Sequence, residues 1–120
     1  MRGFGELETE IMDRVWSADA PLLVRDVHAT LRPERAYNTV LTVVEILYRK
    51  GWLSREKDRR AYRYRATVSR EQYTANLMGE ALAASTDRAA TLRRFAESMD
   101  PAEVDELRAA LEQARAGETR

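Results

Sequence analysis

Three polar side chains with the spacing of a helix face lie near the middle of the chain. Asn38, Thr39 and Thr42 are one, three and four positions apart, which places them on one side of an α-helix. An asparagine amide can form two hydrogen bonds with the edge of adenine, and a threonine methyl group can contact the methyl group of thymine. Tyr37, at the start of this helix, could contact a DNA backbone or a base. The residues expected to contact bases are Tyr37, Asn38, Thr39 and Thr42.

Arginines lie on both sides of this segment in the sequence. Arg35 precedes it, and Arg59, Arg60 and Arg63 follow it. A guanidinium group presents paired N–H donors that match the oxygens of a phosphate. We expect these four arginines to contact phosphates, with the alternative that an arginine of the 59–60 pair enters the adjacent minor groove.

The charge of the chain is unevenly distributed, although its formal total is zero. Residues 32–65 contain ten Lys or Arg against four Asp or Glu, whereas residues 67–120 contain seven against ten. A basic segment joined to an acidic one is typical of a polyanion-binding head followed by a segment with another role. Charge alone is equally compatible with two solvated surfaces, so the interpretation depends on the elements that carry these residues.

The polar face belongs to a predicted third helix that ends at Gly51. Val40, Val44 and Leu47 recur at intervals of four and three, which predicts a buried stripe on the opposite side. Glycine adopts the left-handed conformation that ends many helices, and the two basic residues just before it suit the negative end of the helix dipole. One face of this helix should therefore pack, while the other is available to a ligand.

Aromatic and basic residues alternate in the segment AYRYRA that follows. A period of two is typical of a half-buried strand. We expect Tyr62 and Tyr64 to face the domain. Arg63 and Arg65 would then face solvent or a polyanion. Residues 58–60 should form the hairpin tip, although they lack the Asn-Gly or Asp-Gly pair that most favours a tight turn.

The residues before the third helix supply the rest of a small domain. The pattern predicts a helix over Glu6–Trp16, a short strand at Leu22–Leu23, and a second helix that Pro33 closes. An order of helix, short strand, helix, helix and hairpin is typical of a winged helix-turn-helix domain, which is mainly α with a small β-wing. We expect this DNA-binding domain to occupy residues 1–68.

Further helices are predicted after the hairpin. Ser69 begins a capping-box pattern for a helix that should run to about Ser85. Another helix is expected over Ala89–Phe95. The start of a third is marked at Asp100 and Pro101, where a capping acid, a proline and a later glutamate coincide.

The apolar stripes of these C-terminal helices need a partner that the small domain does not supply. Two copies of the region could bury the stripes against each other about a twofold axis, which predicts a homodimer. The alternative is that the helices fold back on their own domain. We expect a helical dimerisation region at residues 69–116 and a flexible tail at residues 117–120. The residues assigned to dimerisation are Tyr73, Leu77, Leu92, Phe95, Val104, Leu107 and Leu111.

The composition argues against several other classes of protein. The chain has no cysteine, which removes disulfides and thiolate metal sites. No apolar run approaches the length of about 20 residues that spans a membrane, and the start is too acidic for a signal peptide, so we expect a cytoplasmic protein without membrane insertion. His28 and Asp26 are two positions apart on a helix and cannot form a catalytic relay. With no phosphate loop or metal-ligand cluster either, we expect neither an enzyme nor a cofactor.

A protein-interaction module that never touches DNA is the alternative function. Such a module would present an exposed apolar patch on the third helix. The polar face of that helix favours DNA binding instead.

Four successive segments of the sequence resemble the penicillinase-repressor family of bacterial regulators, the BlaI/MecI type. They read GELETEIMDRVW, LLVRDVHATL, AYNTVLTVVEILYRKGWL and RRAYRYRATVSREQY. The resemblance covers about residues 5–80, and the tail keeps the family layout through DPAEVDELRAALEQ. It implies a homodimeric winged-helix repressor that binds a dyad operator in double-stranded DNA and blocks transcription. By position, the resemblance implies that Asn38, Thr39 and Thr42 lie on the family's recognition helix. It implies that Arg59 and Arg60 lie on the wing.

The resemblance also implies ways in which such a repressor is released. Members linked to β-lactam or cell-wall stress are cleaved in the dimerisation region at an Asn-Phe bond, through a membrane sensor-protease pathway. The corresponding bond here is Arg94–Phe95, with arginine in place of asparagine. Copper-responsive relatives use C-terminal cysteines, which this chain lacks.

Overall fold

The computed structural model describes residues 3–118 and divides the chain into two compact units, Met1–Met78 and Gly79–Arg120. Each unit is described separately below. In chain order the elements are α1 (Glu6–Ser17), β1 (Leu22–Leu23), α2 (Val24–Thr30), α3 (Tyr37–Arg49), β2 (Leu53–Asp58), β3 (Ala61–Ala66), α4 (Arg70–Ala83), α5 (Arg88–Glu97) and α6 (Pro101–Glu118).

The core of the first unit lies between its helices and the small sheet. Ile11 and Met12 of α1 are fully buried. The stripe predicted for the third helix is confirmed, because Val40, Val44 and Leu47 are all 0–1% exposed. Burial of these side chains is the main favourable contribution to folding. The remaining buried core residues are Val15, Leu23, Val24, Val27, Leu31, Leu53 and Tyr64.

The end of α3 follows from the conformation of Gly51, which has a left-handed φ of +89°. Its N–H donates to the carbonyl of Tyr48 over 3.0 Å, and the N–H of Trp52 donates to the carbonyl of Leu47 over 3.0 Å. These two bonds form a Schellman motif, in which glycine avoids the strain that a Cβ atom would bring. The predicted glycine stop is therefore confirmed.

β2 and β3 form an antiparallel hairpin, which we call the wing. Asp58 pairs with Ala61, so Arg59 and Arg60 form a two-residue turn, which we call the wing tip. Arg59 has a φ of +61°, and a positive φ in the turn follows the twist of the two strands. The tip predicted at residues 58–60 is confirmed, without the glycine that usually occupies such a turn.

β1 adds a short third strand beside β3, so that the strand order is β1-β3-β2. Leu22 pairs with Tyr64 and Leu23 pairs with Arg63. No residue of β1 pairs with Tyr62, the next residue towards the tip. The outer part of the wing is therefore two-stranded.

The beginning of α4 is attached to the first unit by an aromatic cluster. The ring of Tyr73 stacks on Phe4 with centroids 4.2 Å apart, and it contacts Trp16 at 5.6 Å and Trp52 at 5.4 Å. Its hydroxyl accepts a hydrogen bond from the N–H of Phe4 over 2.7 Å. The indole N–H of Trp16 donates to the carbonyl of Val68 over 2.9 Å, next to the start of the helix. The term "aromatic cluster" refers below to Phe4, Trp16, Trp52 and Tyr73.

The aromatic cluster changes two expectations. The first compact unit continues to Met78, ten residues beyond the predicted boundary at residue 68, because α4 begins on this cluster. Tyr73, assigned to dimerisation from the helical pattern, makes ring contacts within the first unit. Leu77 lies close to Gly3, since a Cβ atom built on that glycine would be 3.6 Å from it.

Helix caps define the elements of the second unit. The side chain of Asp87 accepts a hydrogen bond from the N–H of Ala90 over 3.1 Å and caps α5. A reciprocal capping box starts α6, because Asp100 and Glu103 each accept the other's N–H over 2.9 Å. The start predicted for this helix is confirmed.

Apolar side chains of the second unit remain exposed. Leu92, Phe95, Leu107 and Leu111 are between 39% and 56% exposed, and Val104 is half-buried. No residue of α5 or α6 in the described range is buried. Such an unfilled set of apolar side chains is typical of a surface that meets a partner.

α6 extends further than the sequence predicted. It continues through Glu118, so the first two residues of the tail expected at residues 117–120 are helical, and the last two lie outside the described residues. Among residues 3–118, no helix combines the length and the apolar character needed to cross a membrane.

Candidate nucleic-acid interface

α3 presents its predicted polar residues to solvent. Asn38, Thr39 and Thr42 are all exposed. The Thr42 hydroxyl donates to the Asn38 carbonyl over 2.9 Å, one turn earlier in the same helix. Because that hydroxyl proton is used within the helix, the threonine offers its methyl group and its oxygen lone pairs to a ligand.

Tyr37 occupies the first position of α3 and is held against α2. Its ring meets His28 edge to face with centroids 5.5 Å apart, while 44% of the residue stays exposed. Nε2 of His28 lies 2.8 Å from the carbonyl oxygen of Arg35, so this nitrogen carries the proton and donates it. The histidine therefore joins α2 to the connector that leads into α3.

The wing tip supplies two exposed cations. Arg59 and Arg60 are exposed, and neither side chain forms an ion pair with any residue in the described range. Guanidinium groups without a carboxylate partner remain available to an anion. The structure thus places two of the four predicted phosphate contacts at the end of the wing.

A groove of about 730 Å³ separates α3 from the wing. Tyr37, Leu41 and Glu45 line it from α3 at every fourth position, and Arg25 lines it from α2. The wing contributes Asp58, Arg59, Arg60, Ala61, Tyr62, Arg63 and Tyr64. The groove brings Tyr37 together with three of the predicted phosphate contacts, whereas Asn38, Thr39 and Thr42 lie outside its lining.

Arg35 has carboxylate partners that the sequence reasoning did not assign to it. Its guanidinium lies 2.6 Å from Glu10 and 3.2 Å from Glu6, both on α1. Arg32 also contacts Glu6, at 2.8 Å. These pairs tie the connector between α2 and α3 to α1. A phosphate contact by Arg35 would require exchange of these carboxylates for a phosphate oxygen.

Arg63 is also engaged in the structure. Its Nε lies 2.7 Å from Asp58 on the same hairpin, and its Nη1 lies 3.9 Å from Asp26 on α2. Ion pairs this exposed contribute little to stability, so they can be exchanged for a phosphate at small cost. Arg65 similarly pairs with Glu56 at 2.7 Å on the wing.

Two features of the surface formed by α3 and the wing differ from the sequence expectation. Tyr62 was expected to face the domain, but it is 38% exposed near the wing tip, although it lines the groove together with Tyr64. α3 also exposes the aliphatic residues Leu41 (37%) and Ile46 (38%) beside its polar face. Leu41 lies four positions after Tyr37, and this spacing could have identified it as a groove residue.

The wing is joined to α3 through Arg55, which the sequence reasoning did not single out. Its guanidinium donates to Glu45 over 2.8 Å and to the hydroxyl of Tyr64 over 3.3 Å. Its Cζ atom lies 4.0 Å from the ring centroid of Tyr48 and 4.0 Å from that of Tyr62. The hydrogen bond with Tyr64 raises the pKa of Arg55 further above its already high value, so the group is charged throughout the working pH range.

Tyr64, the hydrogen-bond partner of Arg55, is kept in its uncharged form by burial. Removal of its phenol from water raises the pKa of Tyr64, and the charge of Glu45 adds to this effect. The phenol is therefore neutral at physiological pH. It can receive the hydrogen bond of the arginine as a neutral acceptor.

A metal site is not formed by the side chains in the described range. Among residues 3–118, no three His, Cys, Asp or Glu side chains are grouped so that they could hold a metal ion. What α3 and the wing present instead is a set of exposed polar side chains, the rings of Tyr37 and Tyr62, and two wing-tip guanidinium groups with no ion pair among residues 3–118. This combination suits recognition of a polyanion with readable edges.

Known proteins are similar to this chain over nearly its whole length. A family model described as Penicillinase repressor matches residues 4–113. Transcriptional regulator BlaI of Mycobacterium tuberculosis is 41% identical over 118 residues, which cover 94% of this chain and 86% of that protein.

Solved structures of transcriptional regulators share the architecture. A MarR/EmrR family transcriptional regulator from Acinetobacter sp. ADP1 matches with a TM-score of 0.50 and 20% identity, over 96% of this chain and 76% of that one. A mutant of S. aureus MepR bound to an oligodeoxyribonucleotide matches with a TM-score of 0.52 and 15% identity, over 93% and 78%. At these identities the likeness shows the fold alone, a winged helix with a small three-stranded sheet. Since the family model and the BlaI relative both span most of the sequence, the chain belongs to the penicillinase repressor family of transcriptional regulators.

Proposed function

We propose that this chain is a homodimeric repressor that occupies a dyad operator in double-stranded promoter DNA and obstructs transcription until an inducing signal releases it. The observation that carries the proposal is the groove between α3 and the wing. Tyr37, Leu41 and Glu45 of α3 line one side of it, and Arg59 and Arg60, which have no ion pair in the described range, line the wing side. Asn38, Thr39 and Thr42 are exposed on the same helix, outside this lining. Membership of a family of transcriptional regulators supports the same reading.

The binding mode follows from the dimensions of α3. Its 13 residues give a length of about 20 Å at a rise of about 1.5 Å per residue, which suits a helix in the major groove. Asn38, Thr39 and Thr42 would then face base edges, with Tyr37 at the groove wall. The wing tip would contact the phosphates beside the major groove or enter the adjacent minor groove. In this mode Arg35 and Arg63 exchange their carboxylates for phosphates.

The second unit supplies the proposed dimer interface. Its exposed apolar residues need a partner, and a second copy about a twofold axis provides an identical surface. Two linked reading heads bind two half-sites with a raised effective concentration, which makes dimerisation and affinity inseparable. The proposed interface residues of this unit are Leu92, Phe95, Val104, Leu107 and Leu111.

Release follows from the same coupling, because any event that separates the copies leaves each head with a single half-site. The description of the family as penicillinase repressors supports a signal linked to β-lactams. We propose that this signal, or cell-wall stress, acts through a sensor-protease. The Arg94–Phe95 bond lies inside α5 with both residues exposed. In the proposed dimer the partner would cover Phe95, so a protease must open both the helix and this part of the interface to cut there.

The first experiment is a titration of the purified protein against DNA from its own upstream promoter and against scrambled DNA, across a salt series. We expect two chains per site on the promoter, a preference over scrambled DNA, and a steep fall in affinity with salt. Equal weak binding to both DNAs would contradict the proposal. The exposed Leu41 and Ile46 of α3 would then favour a protein-interaction module.

A second experiment addresses the interface with two matched charge insertions on α6. Leu111→Asp places a carboxylate among the exposed apolar residues, whereas Gln113→Asp makes the same insertion about 200° around the helix. We expect the first variant to be monomeric by sedimentation equilibrium and to lose affinity for a full operator, while keeping its affinity for a single half-site. A dimer that survives Leu111→Asp would contradict the assigned interface.

A further inference from the structure

We propose that Arg55 is a positioning residue for DNA binding, which fixes the wing tip relative to α3 without contacting DNA itself. The inference rests on the proposed function, since it concerns how the two DNA-contacting parts keep their spacing. Arg55 is not one of the residues proposed to contact DNA on α3 or at the wing tip.

The contacts of Arg55 span the two elements. From β2, its guanidinium donates to Glu45 of α3 over 2.8 Å and lies 4.0 Å from the ring centroid of Tyr48, also on α3. The same group donates to Tyr64 over 3.3 Å and lies 4.0 Å from the ring centroid of Tyr62, both on β3. One side chain therefore contacts two residues of the recognition helix and two residues of the wing.

The position of these contacts along the wing explains why they matter. In β1, Leu22 pairs with Tyr64 and Leu23 pairs with Arg63, and beyond that point β3 is paired with β2 alone. A two-stranded ribbon is marginally stable by itself and bends easily. Tyr62 is the first residue of β3 beyond the third strand, and Arg55 holds its ring. The arginine thus restrains the wing at Tyr62, where pairing with β1 has ended.

Arginine is suited to this task in a way that lysine is not. A planar guanidinium can lie over aromatic rings with its faces and donate hydrogen bonds from its edges at the same time. An ammonium group keeps the charge but cannot do both. Lysine at position 55 would therefore preserve the electrostatic field that DNA experiences while it loosens the contact.

Arg55 is placed to act indirectly. It is not among the residues that line the groove, and only 21% of its side chain is exposed. Arg59 and Arg60 are the groups through which it would act, because they form the turn at the end of the hairpin that it restrains. A wing that moves freely would spread these two arginines over many positions and weaken their contacts with phosphates.

The experiment is a thermodynamic cycle measured with the full chain and its operator at one salt concentration. Arg55→Lys is made in the natural chain and in a tipless background, Arg59→Ala with Arg60→Ala. Arg65→Lys is the matched control, since it makes the same chemical change on the same hairpin, at an exposed arginine paired with Glu56. Thermal unfolding of each variant confirms that it is folded at the temperature of the titration.

We expect Arg55→Lys to weaken operator binding about tenfold in the natural chain and by less than twofold in the tipless background, a non-additive result. Arg65→Lys should change binding less than twofold in either background. Equal losses from Arg55→Lys in both backgrounds would overturn the proposal, because the arginine would then act independently of the tip. So would an unchanged affinity in the natural chain, or a tipless variant that binds as well as the natural chain. Failure of the natural chain to prefer its operator would instead refute the proposed function, before any variant is compared.

A measurement without DNA keeps the proposal testable if Arg55→Lys does not fold. Tyr62→Leu removes the exposed one of the two rings that Arg55 contacts, and it changes no residue of the buried core. Amide hydrogen exchange should then become faster at residues 57–62 and stay unchanged in α3. Unchanged exchange in the wing would overturn the proposal.

Discussion

Nη1 of Arg55 lies 2.8 Å from Oε1 of Glu45, so the wing is ion-paired to the middle of α3. Glu45 lines the groove that we assign to DNA, where an uncompensated carboxylate would repel phosphates. The arginine behind it offsets this charge without occupying the groove. The pair therefore reconciles an acidic residue on α3 with a surface that binds a polyanion.

The polar face of α3 should determine which DNA sequence is bound. Asn38→Ala or Thr42→Ala is expected to cost about 1 to 3 kcal/mol of discrimination between operator and non-operator DNA, because the variant loses contacts to base edges. Competition titrations measure this difference. Asn76→Ala on α4 is the matched control, since Asn76 is also an exposed helical asparagine. Unaltered operator preference in both α3 variants would show that the reading face is assigned wrongly.

The wing tip should contribute affinity without sequence preference. Arg59→Ala and Arg60→Ala are each expected to weaken binding on all DNA and to lower the slope of log K against log salt by about 1 for each lost phosphate contact. Arg108→Ala removes the same charge from the second unit and should leave the slope nearly unchanged. A wing variant that alters operator preference while its slope stays constant would point to minor-groove readout instead.

The backbone of Arg59 offers a separate test of stability. Its φ of +61° costs a residue with a Cβ atom about 1 kcal/mol that glycine does not lose. Arg59→Gly should therefore have a free energy of unfolding about 1 kcal/mol higher than Arg59→Ala, while both lose the same DNA contact. Denaturant titration measures the first quantity, and operator titration measures the second. Equal stabilities would mean that the turn adopts another conformation in solution.

Alanine substitutions at Leu47 and Leu41 should distinguish effects on stability from effects on DNA binding, because α3 buries Leu47 and exposes Leu41. Leu47→Ala removes a fully buried side chain and is expected to lower the free energy of unfolding by about 2 to 5 kcal/mol. Leu41, 37% exposed at the groove, should cost under about 1 kcal/mol of stability when replaced by alanine, yet weaken operator binding. Urea unfolding and operator titration of both variants check this. A Leu41→Ala variant that binds normally would remove the residue from the interface.

Stability should fall at alkaline pH because burial raises the pKa of Tyr64. The folded chain holds the phenol proton more tightly than the unfolded chain, in which the pKa is about 10.0. The contribution of the neutral phenol to the free energy of unfolding is complete below about pH 10. It is lost as the pH rises towards the raised pKa of Tyr64 in the folded chain. Tyr64→Phe lacks it, so the stability difference between the natural chain and the variant should shrink from pH 9 to pH 11 in urea titrations. A constant difference over that range would contradict the assigned environment.

Local patterns in the sequence were sufficient for most of the fold. The four-three spacing of Val40, Val44 and Leu47 identified the buried side of α3, and Gly51 marked its end, because both depend on neighbours within one or two turns. The cap at Asp100 was equally local. Membership of the family was carried by segments spread over most of the chain.

What the sequence could not reveal involves contacts between distant segments. Arg35 and Glu10 are 25 positions apart, and no local pattern indicates that they meet. The shared helix face of Glu6 and Glu10 was visible, but it reads equally well as a solvated surface. Tyr62 continues the alternation of β3, and the alternation does not show that the core ends before it reaches the wing tip. Tyr73 fits a helical stripe, and its contacts with the aromatic cluster depend on Phe4, 69 positions away.

The aromatic cluster makes the chain a reporter of its own state. The chain has two tryptophans, Trp16 and Trp52, and both belong to this cluster around Tyr73. Intrinsic fluorescence excited at the indole band therefore arises from the place where α4 begins, with no signal from α3 or the second unit. A change in that emission during DNA titration or induction would report movement of α4 on the reading head, without any label.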